Sequence, residues 1–72
     1  MPKKIRQLKG MLAKAGFTWR PGKGSHTVWT HPLLPADEVT LAGHDGDDVQ
    51  HYQERDVREM LAKLRRAEGT EA

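Results

Sequence analysis

Phe17-Thr18-Trp19-Arg20-Pro21-Gly22-Lys23-Gly24-Ser25-His26-Thr27-Val28-Trp29-Thr30 reads as two strands joined by a tight turn. Phe17 to Arg20 alternates apolar with polar residues, and His26 to Thr30 is rich in β-branched and aromatic side chains, with turn chemistry at Pro21-Gly22-Lys23-Gly24. Before this hairpin, Ile5, Leu8, Leu12 and Ala15 recur at intervals of three and four, which predicts a helix from about Pro2 to Ala15. Pro2 suits a first helical turn and Gly16 suits the residue that ends one. Gly10 costs about 1 kcal/mol relative to alanine in a helix interior, so packing rather than propensity has to hold this helix. After the hairpin, two prolines in Pro32–Asp37 withhold ladder donors, and Glu38–Ala42 alternates again as a third strand. Gly43–Asp48 is a polar loop. Val57, Leu61 and Leu64, with Met60 beside them, then mark a second amphipathic helix ending near Ala67. Glu54 with Arg58 and Glu59 with Lys63 are spaced as i,i+4 pairs on it.

The predicted fold is therefore α+β in the order α-β-β-β-α, with two helices on one face of a three-stranded antiparallel sheet. At 72 residues the chain supports one core, read as a single domain over 1–68 with 69–72 as a frayed tail. With no cysteine, neither a disulfide nor a thiolate metal site is available, which suits a reducing cytoplasm. The basic start, Met1-Pro2-Lys3-Lys4, leads into the amphipathic Ile5–Lys9 and not into the apolar core of a signal peptide, so neither export nor a membrane span is expected.

Charge is distributed far more unevenly than the net +2 suggests. Met1 to His31 carries Lys3, Lys4, Arg6, Lys9, Lys14, Arg20 and Lys23 and no acid, whereas Pro32 to Glu54 carries six acids and no lysine or arginine. The first region attracts phosphate and the second repels it.

Ala15-Gly16-Phe17, Lys23-Gly24-Ser25-His26 and Trp29-Thr30-His31-Pro32 in close succession resemble the HicA toxins, whose hallmark is a glycine-serine-histidine entering the second strand. Gly46-Asp47-Asp48-Val49 and Tyr52-Gln53 resemble a subgroup with a lengthened link into the last helix, so the resemblance covers nearly the whole chain. It implies a double-stranded-RNA-binding-domain-like fold, which agrees with the element order reached from periodicity. It also implies a messenger-RNA endoribonuclease neutralised by a HicB antitoxin, present as a monomer alone or as a hetero-oligomer with that partner.

RNA carries its own nucleophile, the 2′-hydroxyl, so cleavage requires proton transfer and charge stabilisation but no metal or cofactor. Histidine transfers protons near neutral pH because its ordinary pKa is about 6.5. On the family motif, His26 is the catalytic residue. Lys23 and the backbone N–H groups of the Gly22–Ser25 turn are placed to contact phosphate, Gly24 letting the backbone approach and Ser25 orienting ligand or imidazole. Lys3, Arg6, Lys9, Lys14 and Arg20 form an expected track for single-stranded or messenger RNA, with an ordinary solvated face as the plain alternative. Trp19, Trp29 and Tyr52 are candidate stacking groups, at least one tryptophan being expected in the core.

Each histidine also has a plain reading. His26 on that view merely opens a strand. His31, before Pro32, reads as a structural turn residue, and His51 lies just before the second helix with no role. His44 stands where the family often carries a histidine or a basic residue, so an auxiliary contact to substrate or antitoxin stands beside simple solvation. Alternation puts His26 on the face of Val28 and opposite Trp29, so it borders the core only if Val28 faces the helices. His44-Asp45-Gly46-Asp47-Asp48 lacks the spacing and terminal glutamate of a calcium loop. Gly22-Lys23-Gly24-Ser25 lacks the serine or threonine directly after Gly-Lys that a P-loop needs. The rival functions are a non-catalytic RNA-binding module on the same fold and a protein-interaction subunit.

Overall fold

A computed structural model of the chain describes residues 3–69. The elements run α1 (Ile5–Lys14), β1 (Thr18–Pro21), β2 (Thr27–Thr30), β3 (Val39–Leu41) and α2 (His51–Gly69). The strands form one antiparallel sheet in the order β1-β2-β3, registered through Trp19 opposite Trp29 and Thr27 opposite Leu41. Thr27, Trp29, Val39 and Leu41 turn one sheet face toward the helices, and Thr40 is exposed on the other. Ile5, Leu8 and Leu12 of α1 and Val57, Met60 and Leu64 of α2 bury the helical stripes. The fold is thus the α+β arrangement expected from periodicity, closed around one core in which Leu8, Leu12, Leu41 and Val57 are completely buried. Burial of each such side chain contributes about 1.5–3 kcal/mol.

Three local differences from the sequence reading have physical causes. Helix α1 begins at Ile5, because Lys3 and Lys4 are extended and pair with the segment before α2: Lys4 bridges Asp48, and the Val49 N–H donates to the Lys3 carbonyl at 2.8 Å. The expectation for Pro2 lies outside the described residues, as do tail positions 70–72. Helix α2 starts six residues before its first buried aliphatic, so His51 is its first residue and not part of the preceding loop. Its start is capped by Gln53, whose Oε1 accepts the Gln50 N–H at 2.9 Å. Leu34, between the two loop prolines, is buried in the core, because successive turns (Leu34 N–H to the His31 carbonyl, Asp37 N–H to the Leu34 carbonyl) fold the loop inward.

Candidate active site

The hairpin between β1 and β2 carries an extra residue. The Gly22 N–H donates to the His26 carbonyl at 2.8 Å and the His26 N–H to the Lys23 carbonyl at 2.9 Å, so Gly22 and Lys23 together oppose His26. Such a bulge bends its strand and re-aims the neighbouring side chains. Gly24 sits at φ +58°, the conformation that lets Lys23–His26 turn in four residues. At Gly22 a side chain would approach the His26 Cβ to 3.2 Å. The N–H groups of Lys23, Gly24 and Ser25 donate to no acceptor among the described residues, which leaves three successive donors at the tip, on the turn that also carries the Lys23 side chain. Successive backbone N–H groups of a turn suit an anion where they converge on it.

Ser25 acts within the protein. Its hydroxyl oxygen accepts the Gly43 N–H at 3.1 Å, tying the hairpin tip to the loop after β3. That loop is fixed at two further points: the Asp47 carboxylate accepts the His44 N–H at 2.8 Å, and the buried Gln53 amide donates to the Ala42 carbonyl at 2.9 Å. Ala42 lies one step beyond the Thr27–Leu41 pair, across from His26. His44 is exposed and follows directly on the glycine that Ser25 holds.

Because Thr27 and Trp29 face the helices, Val28 does not, and His26 is exposed rather than set at the core margin. It opens one end of a groove of about 500 Å³ along the free edge of β3, walled on the far side by α2. Val39 and Thr40 contribute from β3, Ala42 from just beyond it, Met60 from the core side of α2, and Tyr52, Asp56, Glu59 and Lys63 from the same helix. Those four α2 residues are spaced i, i+4, i+7 and i+11 and so form one helical stripe. Asp37 and Glu38 complete the groove and are each paired with a cation, Lys63 at 3.2 Å and Arg20 at 3.2 Å. Lys63 thus pairs with Asp37 and not with Glu59, whereas the expected Glu54–Arg58 pair forms at 3.2 Å. The sequence reading missed Asp56, Glu59 and Lys63 as groove residues. Their signal was the shared stripe with Tyr52, which is hidden when only the apolar stripe of the helix is followed.

The cationic first third is not a bare strip in three dimensions. Lys3 pairs with Glu54 at 2.8 Å, Lys9 with Asp45 at 2.6 Å, and Lys4 with Asp48. The acidic loop lies over the start of α1, where the Ile5 N–H donates to the Asp47 carbonyl and the Arg6 N–H to the Asp45 carbonyl. A helix that has no acid in its own first turn thereby gains partners for its leading N–H groups and negative charge at its positive end. Hydrogen bonding from Lys9 holds the Asp45 carboxyl below the usual range, and hydrogen bonding from Lys3 does the same for Glu54. Arg6, Lys14 and Lys23 have no ion pair among the described residues. On the other flank of α2, Lys3, Arg58 and Arg65 surround a second crevice floored by Met11 and Leu61.

The aromatic and histidine candidates separate by environment. Trp29 is core, its indole N–H donating to the Thr27 hydroxyl at 2.8 Å, while Trp19 is exposed beside it and Tyr52 is half exposed in the groove. His31 is structural: its Nδ1 accepts the Leu33 N–H at 3.0 Å and its ring stands edge-on to Phe17 at 5.1 Å. Among the described residues no group of three or more histidine, aspartate or glutamate side chains is arranged to hold a metal ion, and no helix is long and apolar enough to cross a membrane. Nothing among curated proteins or solved structures matches the chain. A family model described as HicA toxin of bacterial toxin-antitoxin matches residues 5–68.

Proposed function

As a member of the HicA toxin family over residues 5–68, the chain is the toxin of a bacterial toxin-antitoxin system, and we propose that it is a metal-independent endoribonuclease that cleaves messenger RNA through His26. The observation that carries this reading is the exposed imidazole lining the β3–α2 groove, in the same hairpin turn as Lys23 and three backbone N–H groups that have no acceptor among the described residues. His26 takes the proton from a ribose 2′-hydroxyl as that oxygen bonds to phosphorus. The bond from phosphorus to the 5′-oxygen then breaks, and the imidazolium returns the proton to that leaving oxygen. Lys23 and the N–H groups of Lys23, Gly24 and Ser25 balance the charge on the phosphoryl oxygens. The products are a 2′,3′-cyclic phosphate and a 5′-hydroxyl.

Arg6 and Lys14, free of ion pairs, extend the backbone contact, while Lys3, Lys9 and Arg20 contribute only by exchanging a carboxylate for a phosphate. His44, one residue from the Ser25-held Gly43, makes an auxiliary contact to substrate or antitoxin on this reading. The partner is a HicB-type antitoxin in the cytoplasm, and residues 1–68 form a single HicA-like domain. The test is His26→Ala, with induced growth arrest and transcript cleavage scored together. Cleavage is expected to fall by about 10²–10⁴ with RNA binding retained, and wild-type fragments should carry cyclic phosphate ends. Undiminished cleavage by the variant refutes the assignment, and wild-type protein that binds RNA without cutting it identifies a binding module instead.

A further inference from the structure

The groove beside His26 has an electrostatic character that a phosphate track would not have. Asp37 and Glu38 are offset by Lys63 and Arg20, but Glu59 has no cation partner among the described residues. Asp56 has only Arg55, at 3.8 Å. A phosphodiester inside this groove would lose its water beside like charge. The same walls suit the uncharged part of a nucleotide. Tyr52, half exposed, lines the groove together with His26; Met60 and Val39 add apolar lining, and a volume of about 500 Å³ lies within the range of small-ligand sites. The donors suited to phosphate lie outside it, at the hairpin tip.

Resting on the nuclease reading above, we propose that the groove is the nucleobase subsite of the cleaved RNA: Tyr52 stacks on a base next to the scissile phosphate, and Glu59 accepts its amino hydrogens. The phosphate then stays at the mouth, against Lys23 and the turn, where His26 reaches the ribose. Stacking supplies affinity for any base, because every base has a π face. The carboxylate supplies the choice. It accepts from the amino group of cytosine, adenine or guanine, whereas the single donor of uracil, N3–H, is flanked by two carbonyl oxygens that the carboxylate repels, so uracil is disfavoured. Tyr52 and Glu59 share one face of α2 two turns apart, so the helix fixes their spacing before the substrate arrives.

The test compares wild type with Tyr52→Phe, Tyr52→Ala and Glu59→Gln on short single-stranded RNAs that differ at one base beside the cut. Their binding to the same proteins carrying His26→Ala is measured in parallel. Tyr52→Ala is expected to raise KM and weaken binding by about five- to hundredfold, with kcat nearly unchanged, while Tyr52→Phe stays close to wild type. Glu59→Gln should abolish the disfavour for uracil, because an amide offers a donor as well as an acceptor. Tyr52→Ala with unaltered KM and binding, Tyr52→Phe as impaired as Tyr52→Ala, or an unchanged base preference in Glu59→Gln overturns the proposal. Because binding is read in a background without His26, failure of the subsite is distinct from failure of the catalytic assignment, which His26→Ala alone decides by cleavage.

Discussion

Replacing Gly43 by alanine tests whether the loop behind the hairpin tip is held as tightly as its hydrogen bonds imply. Gly43 adopts φ +114°, a conformation that costs a side-chain-bearing residue about 1–3 kcal/mol. The added Cβ would lie 3.2 Å from the Asp47 Oδ2, the oxygen that accepts the His44 N–H, so this carboxylate has to retreat and weaken a bond worth about 1 kcal/mol. Together these give a loss of about 2–4 kcal/mol. A domain of this size has a total stability of about 4–11 kcal/mol, so the variant should still fold. Its melting temperature should drop by about 10–20 °C. Gly46, three residues on, is the control, since a Cβ there meets nothing within 4 Å and its φ is unexceptional; Gly46→Ala should stay within about 0.5 kcal/mol. Thermal unfolding followed by circular dichroism measures both, and RNA cleavage below the transition shows whether loosening the partner of Ser25 slows the reaction. Equal melting temperatures for the two variants would refute the argument.

Gly10 lies in the interior of α1 with open space where a Cβ would point, so Gly10→Ala should stabilise the protein by about 0.5–1 kcal/mol, read as a rise in the denaturation midpoint at constant slope. Asp45 and Glu54 are held below their ordinary values by Lys9 and Lys3, so each contributes stability that is complete above its unfolded pKa, about 3.9 and 4.3, and is lost as pH falls through the depressed folded value. Acid titration of stability should therefore be steeper below about pH 4.5 for wild type than for Lys9→Met or Lys3→Met. Identical slopes would show that the two ion pairs do not couple the acidic loop to folding.

The sequence by itself determined the order of elements along the chain, the antiparallel sheet and the hairpin, because helical and strand periodicities are local and the residues that display them also form the core; the spatial order of the strands came from the structure. A turn after Arg20 and the structural part played by His31 were legible for the same reason, that turn chemistry acts over a few residues, although the turn closes at Lys23–His26 and Pro21 belongs to β1 rather than to the turn. Only the tertiary structure decided which sheet face carries His26, since alternation fixes relative faces and closure against the helices chooses between them. Closure also undid the apparent segregation of charge. Lys3, Lys9 and Arg20 meet Glu54, Asp45 and Glu38 across 51, 36 and 18 positions of chain, because Coulomb attraction depends on distance in space, and no reading along the chain supplies that distance. The groove arises in the same way, where the second stripe of α2 comes to face the edge of β3.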